Sequence, residues 1–313
     1  MMEVFGLRDD PFRERHDHEM VGEERKKILK QIVELIEYKA TTKDREGDRA
    51  LSLIEGGYGV GKTFTLLYLQ DKVLLNPGVF AEFSSDKSSL KIAVSRFRLL
   101  DQGRLESKIV LALYRKVLLN LERSNGGSEF FKKLYNEVQK IAKNNKKDPE
   151  EVLSAVKRPY SDIFLKITHP DTEYAAWQWL SAGKLSSKEM KELGVPFKIE
   201  DDRNALIYLT ELLKLLRICG YNSLVVLADE AEDAINTPPS KLTQLLISLR
   251  NIYDEIGEKF SNNEPIISFV YISSFSPETW EVIEDHAEKL ETKTGGAGLQ
   301  PFMERLDKNS HCY

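Results

Sequence analysis

Residues 51–70 read LSLIEGGYGVGKTFTLLYLQ, and their centre places four glycines, Gly56, Gly57, Gly59 and Gly61, just ahead of Lys62 and Thr63. Glycine accepts left-handed backbone without steric cost. A run of this kind can curl until several peptide N–H groups face inward and form a concave site for an anion. A helix opening at Gly61 or Lys62 adds the positive end of its dipole to the same point. The pattern G-x-x-x-x-G-K-T gives each part a task. The backbone of Gly56, Gly57, Tyr58, Gly59, Val60 and Gly61 wraps phosphate oxygens, Lys62 reaches the outer phosphates, and the Thr63 hydroxyl faces Mg2+. Phe64, in the first helical turn, completes the residues expected to line a bound nucleotide. The structural alternative is a plain strand-to-helix turn.

A phosphate cradle needs a second, acidic element before it can do chemistry. SLVVLADEAED supplies one, an apolar run of buried-strand type ending in Asp229 and Glu230. In open α/β sheets, ligands bind outside the carboxyl ends of the strands, which is where this pair falls. Asp229 is expected to hold Mg2+ through water, and Glu230 to orient and activate an attacking water. The competing reading is that both acids merely cap the next helix. An Asp-Glu pair suits hydrolysis coupled to a conformational change, and no subsite for a small phosphoryl acceptor stands out.

The elements that must position these residues read as follows. A helix with Ile28, Ile32, Leu35 and Ile36 at helical spacing runs from Glu23 to Ala40. ALSLIEG is a buried strand, and a helix follows the glycine loop to Leu75, where Asn76-Pro77-Gly78 stops it. VFAEFSS reads as a second strand. From Lys91 to Cys219 the pattern is mostly helical, with Asp148 as an N-cap before Pro149. PIISFVYISS is a further buried strand. Helices flank it, SKLTQLLISLRNIYDEI with Ser240 as cap and SPETWEVIEDHAEKL, and the tail holds one more short helical piece. Strands that are apolar throughout and alternate with helices indicate a parallel sheet covered on both faces. The expected fold class is α/β: one domain over residues 1–313, with a mostly helical insertion at 91–205.

Composition narrows the classes further. The chain has 313 residues, 30% of them charged, and a net charge of −5. A dedicated nucleic-acid binder is usually basic, so contact with DNA or RNA is expected from an assembly or from a local cluster. Arg25-Lys26-Lys27 and Lys143 to Lys147 are the candidates, with a solvated helix face as the alternative. No apolar run approaches the roughly 20 residues that span a bilayer, and MMEVFGLRDDPF lacks the layout of a secretory signal. A cytoplasmic protein with no membrane partner is expected. Cys219 and Cys312 are too few for a disulfide framework or zinc site and read as reduced thiols, Cys219 buried at a helix end. His16 and His18 read as solvated loop residues rather than a metal pair, and Phe5 and Phe12 as anchors for an irregular start.

The two motifs, their separation and the later strand resemble the layout of AAA+ P-loop ATPases. That resemblance implies a polar γ-phosphate sensor at the end of PIISFVYISS, with Ser273 as the nucleotide contact in the Ser273-Ser274 pair. MVGEERKKILKQI resembles the start of the origin-recognition-like branch, with Glu23 where that branch has arginine. A second string, Trp177, Trp179, Leu180 and Gly183, then Leu193-Gly194-Val195 and Asn204, is similar to the ATP-binding proteins of BREX-type phage-defence systems and their standalone relatives. The resemblance covers about residues 50–306. It implies ATP and Mg2+ as ligands, hydrolysis, and a homo- or hetero-oligomer in which an arginine acts on a neighbour's nucleotide. Arg305 in PFMERL is the candidate for that arginine, with Arg250 in LISLRNIYDE as runner-up. A helical lid, usual in AAA+ proteins, is absent, truncated or replaced by the insertion. Trp177 and Trp179, two residues apart, cannot share a helix face, so packing is expected rather than base stacking.

Together these features point to an ATP-binding, ATP-hydrolysing switch or motor subunit acting on nucleic acid, in phage defence or replication. A nucleotide-regulated scaffold that recruits protein partners with little turnover stands beside it as the alternative.

Overall fold

The computed structural model describes residues 23–41, 49–57, 59–84, 90–99, 106–121, 126–230, 237–294 and 311–312. Its centre is a parallel sheet. In chain order the strands are β1 (Arg49–Glu55), β2 (Ile92–Arg98), β3 (Ser223–Asp229), β4 (Ser268–Phe275) and a two-residue β5 (His311–Cys312), and in space they lie β2-β3-β4-β1-β5. From β1 the chain crosses to the far edge at β2, steps back through β3 and β4, and then passes β1 to reach β5. Connections from the neighbours β1 and β4 therefore leave in opposite directions, which opens a crevice outside their carboxyl ends.

Period-two alternation assigns each strand side chain to one of two cores. Ile54, Ile92, Val94, Val225, Leu227, Val270 and Ile272 face one side. There they meet α1 (Glu23–Thr41), α2 (Lys62–Tyr68), a π-helical segment (Leu69–Leu74) and α3 (Pro77–Phe83). Leu53, Phe97, Leu224, Val226, Ala228, Phe269 and Tyr271 face the other side. That side is covered by α4 (Ile109–Leu119), α10 (Asp202–Ile218), α11 (Pro239–Ser261) and α12 (Pro277–Thr294).

Three sequence expectations change. Of the segment read as a strand, VFAEFSS, residues Val79 to Phe83 lie within α3 and Ser84 is its C-cap. Asn76 caps that helix, its side chain accepting from the Val79 N–H at 3.5 Å, and Pro77 takes the first turn. Asn-Pro-Gly thus starts a helix as well as ending one. The second strand is instead β2, within the stretch expected to be helical from Lys91. Its alternation is hidden because both faces are buried up to Arg98. Finally, α11 begins at Pro239 with Pro238 in the cap position, so Ser240 lies inside the first turn.

Between β2 and β3 lie α4, α5 (Gly126–Asn145), α6 (Pro149–Val152), α7 (Tyr160–Phe164), α8 (Glu173–Leu180), α9 (Ser187–Leu193) and α10. Asp148 stands at the cap position of α6 but makes no side-chain cap bond. The tryptophans build the core of this helical part. Trp179 is 1% exposed and donates Nε1–H to the Phe197 carbonyl at 2.9 Å. Trp177 sits edge-on to Phe131, ring centres 5.6 Å apart. Gly194 ends α9 in the left-handed conformation at φ 72°, between buried Leu193 and Val195. The Asn204 N–H and side-chain amide both donate to Asp201, the N-cap of α10. Cys219 follows α10, buried, and burial pushes its thiol up to about 12, so it is not a thiolate at neutral pH. Among the described residues no helix is long and apolar enough to cross a membrane, and no cluster of metal-ligating side chains occurs. His16, His18, Phe5, Phe12 and the short tail helix lie outside the described residues.

Candidate functional site

The glycine loop leaves β1 at the crevice. Gly56 N–H donates to the Phe275 carbonyl at 3.1 Å, which ties the loop to the end of β4. Gly59 and Gly61 have φ of 80° and 92°, values that strain any residue with a Cβ. Gly61 is the N-cap of α2, so the helix opens at Lys62 with its first N–H groups turned toward the loop. Val60 is exposed and Phe64 half-buried against Tyr68.

Lys62 is 7% exposed and its ammonium folds onto the loop, donating to the Gly56 carbonyl at 2.7 Å and the Gly57 carbonyl at 3.0 Å. A buried cation held by carbonyls in a concave turn can exchange those neutral acceptors for anionic ones. The loop therefore fits a phosphate group on its own geometry.

Asp229 reaches the same place from the far side of β4. Its Oδ1 accepts from the Thr63 hydroxyl at 3.2 Å, the Ser274 hydroxyl at 3.0 Å and the Glu230 N–H at 2.9 Å. Its Oδ2 faces Arg96 Nη1 at 3.4 Å, and both side chains are almost fully buried. Arg96 Nε donates in turn to Gln70 Oε1 at 3.2 Å, in the π-helical segment below α2. Parity explains the convergence. Arg96 extends the face of Ile92 and Val94, Asp229 that of Val225 and Leu227, and Ser274 that of Val270 and Ile272. Arg96 thereby meets the π-helical segment at Gln70 and Asp229 meets α2 at Thr63, while Ser274 meets Asp229.

Ser273 goes the other way. It is fully buried and its hydroxyl donates to the Ala228 carbonyl at 3.1 Å. The structure brings Ser274, not Ser273, to Asp229. Glu230 stands just past the strand end at φ 56°, a left-handed conformation rare for glutamate. Its carboxylate pairs with Arg98 Nη2 at 3.1 Å, at the end of β2 beside Asp229. Two arginines two residues apart on β2 thus meet Asp229, the last residue of β3, and Glu230, the residue after it. Arg96 and Arg98 escaped the sequence reading because SRFR stood inside a stretch read as helix. An alternating Arg-x-Arg at a strand end was the signal available. Arg250 lies on α11 and pairs with Asp254 four residues on, at 3.3 Å. Tyr58 and Arg305 lie outside the described residues.

A family model described as BREX system ATP-binding protein BrxC/D matches residues 129–270. The matched stretch runs from α5 into β4. It includes Asp229 and Glu230 but neither the glycine loop nor Ser273 and Ser274. The chain is therefore similar, over this part, to ATP-binding proteins of a phage-defence system. No curated protein matches the chain.

Proposed function

We propose that the chain is an ATPase whose turnover drives a switch or motor subunit acting on nucleic acid. One contact carries the reading, the Thr63 hydroxyl on Asp229 Oδ1, which joins residues 166 positions apart at the mouth of the glycine loop. Lys62 and the N–H groups of residues 56–63 would hold the ATP phosphates, the lysine leaving the Gly56 and Gly57 carbonyls for phosphate oxygens. Thr63 and Asp229 would hold Mg2+, which supplies charge neutralisation of the phosphates when bound. Ser274 fixes the Asp229 carboxylate, and Arg96 keeps its far oxygen occupied. Glu230 is the base that takes a proton from the attacking water. Its left-handed backbone costs on the order of 1–3 kcal/mol, strain of the kind that gathers at functional sites. Ser274 replaces Ser273 as the sensor candidate in this scheme. Phage defence is the setting to which the matched family belongs. Action on nucleic acid and oligomer formation are parts of the proposal.

Glu230→Gln tests it. The amide fills the site but is no base, so ATP should stay bound while release of phosphate stops. Normal phosphate release by Glu230→Gln removes Glu230 from this role. Tight ATP retention by the unaltered protein, with no turnover and no response to DNA, would favour the scaffold reading.

A further inference from the structure

A second concave surface lies in the helical part and shares no residue with the glycine loop. It is an open groove of about 750 Å3, between the residues that open α4 and the loops that flank α9. That volume is in the range of a bound small molecule. Four cations line it, Lys108, Arg115, Lys184 and Lys198, against two carboxylates, Glu106 and Glu200. In a chain of net charge −5 this is a local excess of positive charge. A cleft concentrates such a field.

The four cations are not equivalent. Arg115 is spent on structure, its Nε and Nη2 donating to the Ala182 carbonyl at 3.1 and 2.9 Å. Ala182 has a φ of 55°, so Arg115 grips a strained turn and fixes the loop that carries Lys184. Lys184 is exposed and makes no hydrogen bond or ion pair among the described residues. Lys108 donates to a backbone carbonyl, that of Glu200, at 2.6 Å, which leaves its charge uncompensated by that contact. Lys198 forms an ion pair with the Glu200 carboxylate, and Arg115 Nη1 one with Glu106, each at 3.9 Å and so longer than a hydrogen bond, which leaves the groove with a net charge of about +2. Leu111, Leu185 and Ile199 form an apolar floor beneath these groups.

Three ammonium groups with the guanidinium fork already engaged suit a multiply charged, tetrahedral anion better than a planar carboxylate. The volume exceeds what one phosphate fills, and the apolar floor can take a non-polar body such as a base. We propose that this groove is a second binding site, for a phosphate-bearing ligand of nucleotide size or the phosphates of a nucleic-acid strand, held by Lys108, Lys184 and Lys198.

The test is calorimetry on the full chain carrying Lys62→Ala, which takes the glycine loop out of the measurement. The probes are pyrophosphate, ATP and an oligothymidylate of about twelve nucleotides, within the span a strand-binding site covers. At least one should bind saturably. Adding Lys184→Glu or Lys198→Glu should weaken that binding about tenfold or more each, while Lys289→Glu on α12 leaves it unchanged. Binding of the small probes alone identifies a small phosphorylated ligand. Binding of the oligonucleotide, with a salt slope lower by about one per lysine removed, identifies a strand. The proposal is overturned if none of the three binds, if Lys184→Glu and Lys198→Glu change nothing, if Lys289→Glu has the same effect, or if polyglutamate competes as well as the phosphate probes. Because the lysine of the glycine loop is absent throughout, none of these failures bears on the ATPase reading.

Discussion

Asp229 and Arg96 form the buried ion pair beneath the candidate site, and replacing them singly and together measures what it contributes. The side chains are 3% and 8% exposed and their charged atoms 3.4 Å apart. At that distance, with an effective dielectric near 20, the attraction is about 5 kcal/mol. Desolvation of both ions offsets most of it, so the pair as a whole is worth little against a neutral replacement. Losing one member is different, because the other is left as an uncompensated charge. Arg96→Met should destabilise the nucleotide-free protein by about 3–5 kcal/mol. Asp229→Asn should cost somewhat less, since the amide oxygen still accepts from Thr63 and Ser274. Arg96→Met/Asp229→Asn should be more stable than the sum of the singles implies, by about 3 kcal/mol. That magnitude is at the upper end of the range for residues in one network. Urea unfolding followed by the fluorescence of Trp177, Trp179 and Trp280 reads all four proteins, provided the m-values agree. Single costs that add to within about 0.5 kcal/mol would show that the two groups do not interact. Arg96 would then be no support for Asp229.

Other outcomes follow from the same geometry. Lys62→Ala should leave the fold intact and weaken ATP binding at least about 100-fold, since two charge-assisted contacts of roughly 1.5 kcal/mol each are lost; unchanged affinity by calorimetry would sink the loop assignment. Lys214 lies 3.1 Å from Glu211 and 2.7 Å from Glu264, and Glu211 is fully buried. Lys214→Met should therefore cost about 3–5 kcal/mol in urea, and a cost below about 1 kcal/mol would mean that the lysine does not support the buried carboxylate. Partial burial would raise the Glu264 pKa, but Lys214 and Lys259 outweigh it and hold the carboxyl below the usual glutamate range. The resulting stability is present above the unfolded value of about 4.3 and lost as pH falls through the lower folded one. The unaltered protein should then exceed Glu264→Gln in urea midpoint at neutral pH and converge with it in acid; a gap that persists below pH of about 3 would contradict the sign.

The sequence by itself carried the parts of this protein whose physics is local. The turn that joins β1 to α2 can be read because closely spaced glycines mark a change of chain direction within a few residues, and Gly59 and Gly61 do take left-handed backbone there. SLVVLADE can be read because a parallel strand buried on both faces is apolar throughout and its end is marked by charge. The two tryptophans could be assigned to packing because positions i and i+2 diverge on any helix. What tertiary structure decided is non-local. β2 was missed because a fully buried strand and a buried helix segment look alike over seven residues, and only pairing with β3 separates them. VFAEFSS was misread because Asn76 and Pro77 can end one helix and begin another, and packing against α1 selects the second outcome. Which of Ser273 and Ser274 meets Asp229 depends on strand parity relative to α2, set by the register of β4 against β3. Arg96 and Arg98 reach the two acids only because β2 is the strand that lies beside β3 in the sheet. Local chemistry specifies which groups can act, and the order and register of the strands specify which of them meet.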